Sequence, residues 1–378
     1  MKKLRILIVS GTFDRDGGKR SGLIQKMAIN ITNNVFLRED VDSVWILNGG
    51  TVETLYTAII EQVKNYDIVL WMPNVSNDEL KIRNVKEINP KCILINSKRN
   101  DGDKYSFADL ISRSLSAKAN LTIEFKKAEN GFNMLVFDPL GNEYYDGTDI
   151  KEMSRVLIER AIILANMTRK PCLKAENLRE KITEKESINI ASKETAFLEF
   201  AHECSDIFHN LIRPAKETER FLGNMSFRCQ NGFPSFRGPN GLIFVSRRNV
   251  DKSDIGPSAF VPTYLDEENN VRYYGENKPS VDTPVQLRLY QAFPCYNYMI
   301  HAHCYFKDAP FTENKVPCGA IEEVNEILAV VNKEKDKDFQ AVNLLGHGCI
   351  LMAKNASIFT ELLKEKDANF ISRKMPEK

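Results

Sequence analysis

Four apolar runs of strand length punctuate the first hundred residues, and their spacing restricts the fold more than any other feature. They are Leu4–Val9 (LRILIV), Val44–Leu47 (VWIL), Asp67–Met72 (DIVLWM) and Cys92–Ile95 (CILI). None alternates strictly between apolar and polar residues, the pattern of strands covered on both faces. Between them lie stretches with helical spacing: Leu23, Met27 and Ile31, then Val52, Leu55, Ile59 and Val63. This alternation predicts an α/β unit with a doubly wound, mostly parallel, Rossmann-like sheet. Leu121–Phe125, Met134–Phe137 and Glu143–Tyr145 read as an antiparallel extension with turns at Asn130-Gly131 and Asp138–Asn142. A helix over Ile150–Asn166 closes the unit, which we place at residues 1–170.

The loop after the first strand lies where such sheets bind ligands. It contains Gly11, Thr12, Gly17, Gly18, Lys19 and Ser21. Glycines permit close backbone approach, Lys19 and Arg20 supply charge, and Ser21 caps the helix that follows. We read it as a candidate phosphate or nucleotide site, although its spacing is neither G-x-G-x-x-G nor a Walker A motif. The run Ser10-Gly11-Thr12 … Gly18-Lys19-Arg20-Ser21-Gly22 resembles the glycine-rich start of phosphopantothenoylcysteine synthetase domains. That match is short and assigns no function.

Residues 171–190 are charged and poor in apolar density, as in a linker or an exposed helix. A second domain, 191–378, opens with a helix near Ser192 whose apolar face carries Phe197, Phe200, Ala201, Cys204, Ile207, Phe208 and Leu211. With 52 basic and 51 acidic residues the net charge is +1, which gives no electrostatic footprint for nucleic acid or an anionic membrane. The 8 cysteines form no C-x-x-C pair and read as reduced thiols. The N-terminus lacks the long apolar region of a signal peptide, and no window suits a membrane span. A cytoplasmic location is expected.

Chemistry concentrates in the second domain. Of only 5 histidines, His301 and His303 are two residues apart after an apolar run. In a strand they would share a face. His347 follows in Gly346-His347-Gly348. Three neutral imidazoles suit zinc or another divalent transition metal and leave positions open for substrate oxygens. Asp282 precedes Thr283-Pro284, where an Asx cap of the following helix fits as well as a role in chemistry.

Four segments resemble the class II aldolase/adducin family, which includes fuculose-phosphate and rhamnulose-phosphate aldolases, ribulose-phosphate epimerase and methylthioribulose-phosphate dehydratase. They are Gly223-Asn224-Met225-Ser226-Phe227-Arg228, Gly241 to Asp251, Lys278-Pro279-Ser280-Val281-Asp282-Thr283-Pro284 through His301-Ala302-His303, and Gly346-His347-Gly348. The third is closest to the epimerase branch. Together they span about Ser192 to Leu363.

The resemblance implies an α/β/α domain with a mostly antiparallel central sheet. It implies His301, His303 and His347 as metal ligands, with zinc first and manganese or iron as alternatives. Asp282 falls where the epimerase has a carboxylate ligand and the aldolases a catalytic glutamate; it is a fourth ligand or a general base. The family's sugar-phosphate site maps onto Gly223, Asn224 and Ser280. Val281 replaces a second serine, and Arg247, Arg248 and Asn249 stand at the phosphate turn. Guanidinium groups suit bidentate phosphate recognition. The implied reaction is aldolase-type cleavage of a phosphorylated hydroxy-ketone through a metal-stabilised enediolate, with epimerisation, dehydration or a non-catalytic module as alternatives. A homo-oligomer, tetrameric by analogy, is also implied. The family's late tyrosine has no counterpart, since no tyrosine follows Tyr305.

Overall fold

The computed structural model describes residues 3–75, 85–129, 131–167, 173–176, 182–209, 221–229, 241–331 and 337–371. The chain divides into two compact units, Met1–Met167 and Thr168–Lys378. Asn130 of the expected turn, Leu211 of the expected helix face and residues 230–240 of the segment between the first two motifs lie outside the described residues.

The first unit contains β1 (Leu4–Asp14), α1 (Gly22–Val35), β2 (Val41–Thr51), α2 (Val52–Thr57), β3 (Ile68–Val75), α3 (Val85–Ile88), β4 (Ile93–Arg99), α4 (Phe107–Ser116), β5 (Leu121–Ala128), β6 (Gly131–Phe137), β7 (Glu143–Gly147) and α5 (Ile150–Asn166). Its sheet order is β2-β1-β3-β4-β5-β6-β7. Pairing is parallel from β2 through β5 and antiparallel at β6 and β7. Ile6 and Ile8 of β1 pack with residues of α1 and α5, while Leu7 and Val9 join a second core with Leu55 and Val63. All four strand residues are fully buried, so β1 is covered on both faces as its unbroken apolar run requires. The stretch Thr51–Asn65, expected as one amphipathic helix, is broken into α2, a π-turn over Ala58–Gln62 and a 3₁₀ turn over Val63–Asn65. Its many β-branched residues weaken a continuous α-helix.

The second unit contains β8 (Leu173–Glu176), α6 (Glu184–Ala191), α7 (Thr195–Glu203), α8 (Ser205–His209), β9 (Asn224–Arg228), β10 (Ile243–Ser246), β11 (Phe260–Leu265), β12 (Val271–Tyr274), α9 (Thr283–Ala292), β13 (Tyr298–Ala302), β14 (Tyr305–Phe306), α10 (Glu322–Val330), β15 (Phe339–Leu344), β16 (Gly348–Ala353) and α11 (Ser357–Lys364). The sheet runs β15-β16-β13-β9-β10-β11-β12-β8, antiparallel except where β8 joins β12. The stretch 171–190 is therefore more than a linker. It supplies a parallel edge strand and the mostly exposed helix α6, begun by a capping box at Thr183 and Glu186.

Side-chain parity across this sheet places the chemistry. Phe227, Phe244, Ile300 and Leu351 pack with Phe197, Phe200, Phe208 and Phe359 from α7, α8 and α11. Ile243, Val245, Met299, Ile350 and Met352 pack with Val285, Leu289, Tyr290 and Ile327 from α9 and α10. Each large apolar side chain so buried contributes about 1.5–3 kcal/mol. A one-residue slip would exchange the two faces and misplace every one of them. The same parity puts His301, two residues after Met299, on the α9/α10 side. Its cross-strand neighbours are Asn224 on β9 and Ile350 on β16. Among the described residues no helix is long and apolar enough to cross a membrane.

Candidate metal centre

His301 lies within β13, His303 one residue past its end, and His347 in the tight turn from β15 to β16. Each is only 1% exposed. One nitrogen from each comes within 4.8 Å of the others. The Nε2 atoms of His301 and His347 are 3.2 Å apart. His301 Nδ1 is 3.0 Å from the Cys349 carbonyl, and His347 Nδ1 is 2.7 Å from Glu323 Oε1. Both Nδ1 atoms are tied back, so both Nε2 lone pairs point into one space. Burial, then repulsion from His347, pushes His301 down to about 4, so it is neutral at pH 7. Burial also pushes His347 down, but Cys318 and Glu323 outweigh it and hold its pKa above the ordinary value. With a neutral ring protonated on Nδ1, His347 would donate to Glu323 Oε1, the arrangement in which a carboxylate orients a metal-binding imidazole. Three converging buried imidazoles, two with their outer nitrogens bonded, fit a divalent transition metal.

Asp282 stands at the N-terminus of α9, but its side chain caps nothing. Oδ2 accepts from Asn224 Nδ2 at 3.0 Å and lies 4.0 Å from His301 Nε2. Oδ1 is buried without a hydrogen-bond partner. The Asx cap is thus absent and the carboxylate faces the imidazoles. Asn224 is itself held by a short bond from Gln286 Nε2. Beneath, Lys252 is 1% exposed and its Nζ donates to the carbonyls of Leu222 and Gly223 at 2.7 and 2.8 Å. Burial pushes its ammonium down to about 7. The turn it clamps must pass close to β13, since a Cβ at Gly223 would lie 2.7 Å from the His301 carbonyl.

The other predicted anion-binding residues cluster beside this turn. Arg247, Arg248 and Asn249 are exposed at the end of β10. Their strand meets the segment before Asp282: Arg248 N donates to the Lys278 carbonyl at 2.8 Å and Ser280 N to the Ser246 carbonyl at 3.1 Å. Asn249 has a positive φ of 62°, and its Oδ1 accepts from Phe221 N. In the first unit, β1 runs on to Asp14, so Gly11 and Thr12 of the expected loop are strand residues, and the segment beyond folds back on them. Thr12 N donates to the Lys19 carbonyl and Gly18 N to the Gly50 carbonyl. A side chain at Gly18 would collide with the Thr12 backbone, and one at Gly11 with Gly49 and Lys19. These two glycines thus serve contacts within the chain, whereas Gly17 borders open space. Ser21 Oγ caps α1 through Ile24 N, and Lys19 stays exposed.

Residues 203–357 match the family described as class II aldolase and adducin N-terminal domain. The C-terminal half carries a class II aldolase/adducin domain. An L-fuculose 1-phosphate aldolase structure is 18% identical over 50% of this chain and 85% of its own, with a TM-score of 0.32. An aldolase II superfamily protein from Pseudomonas syringae is 10% identical over 51% and 77%, with a TM-score of 0.33. A DNA/pantothenate metabolism flavoprotein from Streptococcus pneumoniae is 17% identical over 43% and 99%, with a TM-score of 0.34. No curated protein matches the chain.

Four residues of the aldolase domain are not singled out by the sequence: Glu323, Cys318, Lys252 and Gln286, the last a polar residue on the buried face of α9. Glu323 left a signal: it lies four positions before Ile327 on the buried face of α10, an unusual place for a carboxylate. Cys318 and Lys252 left none, because a thiol in a turn and a lysine in a charged stretch look like surface residues. Glu323→Gln is expected to weaken zinc affinity by about 10–100-fold, since a neutral amide orients and polarises His347 less well. Competition against a chromophoric chelator measures it; unchanged affinity would remove Glu323 from the site.

Proposed function

We propose that the second unit is a metal-dependent lyase of the aldolase type, acting on a phosphorylated hydroxy-ketone. The observation that carries this reading is the convergence of His301, His303 and His347 on one buried point with Asp282 beside it. These imidazoles would hold a divalent metal, with zinc favoured by an all-nitrogen donor set. Such an ion, when bound, supplies Lewis-acid stabilisation of charge developing on substrate oxygens.

The chain's own residues do the rest. Asp282 Oδ1, lacking a hydrogen-bond partner, is the atom that accepts a proton from the substrate. Asn224 and Gln286 fix the carboxylate's orientation through a relay of amides. Donor atoms sharing one tetrahedral ion stand roughly 3.3–3.6 Å apart. At 4.0 Å from His301 Nε2, Asp282 is near enough for either role, and its unpartnered Oδ1 is what supports the base. Arg247, Arg248 and Ser280, joined by backbone bonds near the Gly223 turn, form the rim proposed to take the phosphate.

Epimerisation on the same centre is the second reading. It is favoured by an aspartate at position 282. Product analysis over a panel of phosphorylated ketoses separates the two. The lyase yields two smaller carbonyl fragments, and an epimerase conserves mass. No conversion of any panel member by metal-loaded protein would contradict both.

A further inference from the structure

Cys318 is the reactive side chain at this centre that neither reading uses. It lies in a tight turn closed by Ala320 N donating to the Pro317 carbonyl at 3.2 Å. The turn is seated against the Asp282 segment: a Cβ at Gly319, whose φ is 75°, would lie 2.8 Å from the Val281 carbonyl. This places Cys318 Sγ 3.1 Å from His347 Nε2, the same atom that faces His301 Nε2 at 3.2 Å. Two potential metal donors therefore lie within 3.2 Å of this nitrogen of His347.

We infer that Cys318 is a fourth ligand of the resting site, completing a His3Cys set with His301, His303 and His347 to which a substrate oxygen would add as a fifth donor. The inference rests on the metal reading above and specifies it. Sulfur and nitrogen sharing one tetrahedral ion stand roughly 3.5 Å apart, close to the 3.1 Å between Cys318 and His347. On binding, the S–H proton leaves to solvent and the sulfur's electron pair forms the metal bond. A thiolate also selects for zinc-class ions over magnesium and manganese, which prefer oxygen. Cys304 and Cys349 are close in sequence to two of the histidines but are excluded. Both are fully buried in the aromatic core on the opposite sheet face. Cys318 is instead exposed at the residue level, at the mouth of the site.

The test is cobalt reconstitution of the full-length, metal-stripped protein. The parent chain is expected to show visible d–d absorption together with a near-ultraviolet thiolate-to-cobalt charge-transfer band. Cys318→Ser should lose the charge-transfer band, keep the visible bands, and release zinc to a chelator more readily, by about 100-fold or more. Cys304→Ser should keep both sets of bands. Visible bands without charge transfer in the parent chain would overturn the assignment of Cys318 and leave the three-histidine centre standing. A charge-transfer band that survives Cys318→Ser would overturn it equally. No cobalt bound by the parent chain, by absorption or by equilibrium dialysis, would overturn the metal reading itself and the fourth ligand with it.

Discussion

His303→Ala is expected to abolish stoichiometric zinc retention. The triad offers three nitrogens, and removing one leaves two imidazoles, with the Cys318 thiol as the one other inferred donor. Altering even an outer-shell partner typically costs 10–100-fold in affinity, and losing a ligand should cost about 100-fold or more. The fold is expected to survive, because His303 lies just beyond β13 and forms none of its ladder. The cleanest readout is a thermal shift. Zinc at about 100 times its Kd should stabilise the parent chain by about 2.7 kcal/mol. The variant should gain nothing at the same concentration. Equal shifts in both proteins would mean that the stabilising zinc sits elsewhere.

Asp282→Asn is expected to separate catalysis from stability. Asparagine has nearly the same shape, so α9 and its contact with Asn224 can persist. The substitution removes the acceptor proposed to take the substrate proton, and loss of a positioned acid–base group lowers turnover by about 10²–10⁴-fold. The metal-free protein should be no less stable than its parent. Asp282 Oδ1 is buried with no hydrogen-bond partner among the described residues, so the substitution breaks no bond at that atom. Lost turnover with unchanged zinc affinity supports the base. Lost turnover with zinc affinity reduced about 100-fold would instead make Asp282 a ligand, and unchanged turnover would remove it from the reaction.

Much of this architecture is legible in the chain because it is written in periodicity. Ile6, Leu7, Ile8 and Val9 have no polar alternation, and β1 is indeed buried on both faces. The two-residue spacing of His301 and His303 brings their rings to 4.9 Å, although only His301 lies within the strand. Legibility ends where geometry is tertiary. Nothing near Cys318 or Glu323 reveals that a turn and a helix approach His347 from 29 and 24 residues away. The charged stretch before Ser192 reads as a linker because an edge strand needs few apolar residues. Its identity as β8 comes from backbone pairing to β12, which leaves little trace in composition. Likewise Gly18 looks like a cradle for a ligand, yet its space is taken by the Thr12 backbone.

The most direct test of the central claim is anomalous diffraction at the zinc absorption edge from crystals of the full-length protein grown with zinc. One strong peak is expected within about 2.0–2.1 Å of a nitrogen from each of His301, His303 and His347. A density map with no peak among these three side chains, or with zinc bound only elsewhere on the chain, would contradict the account.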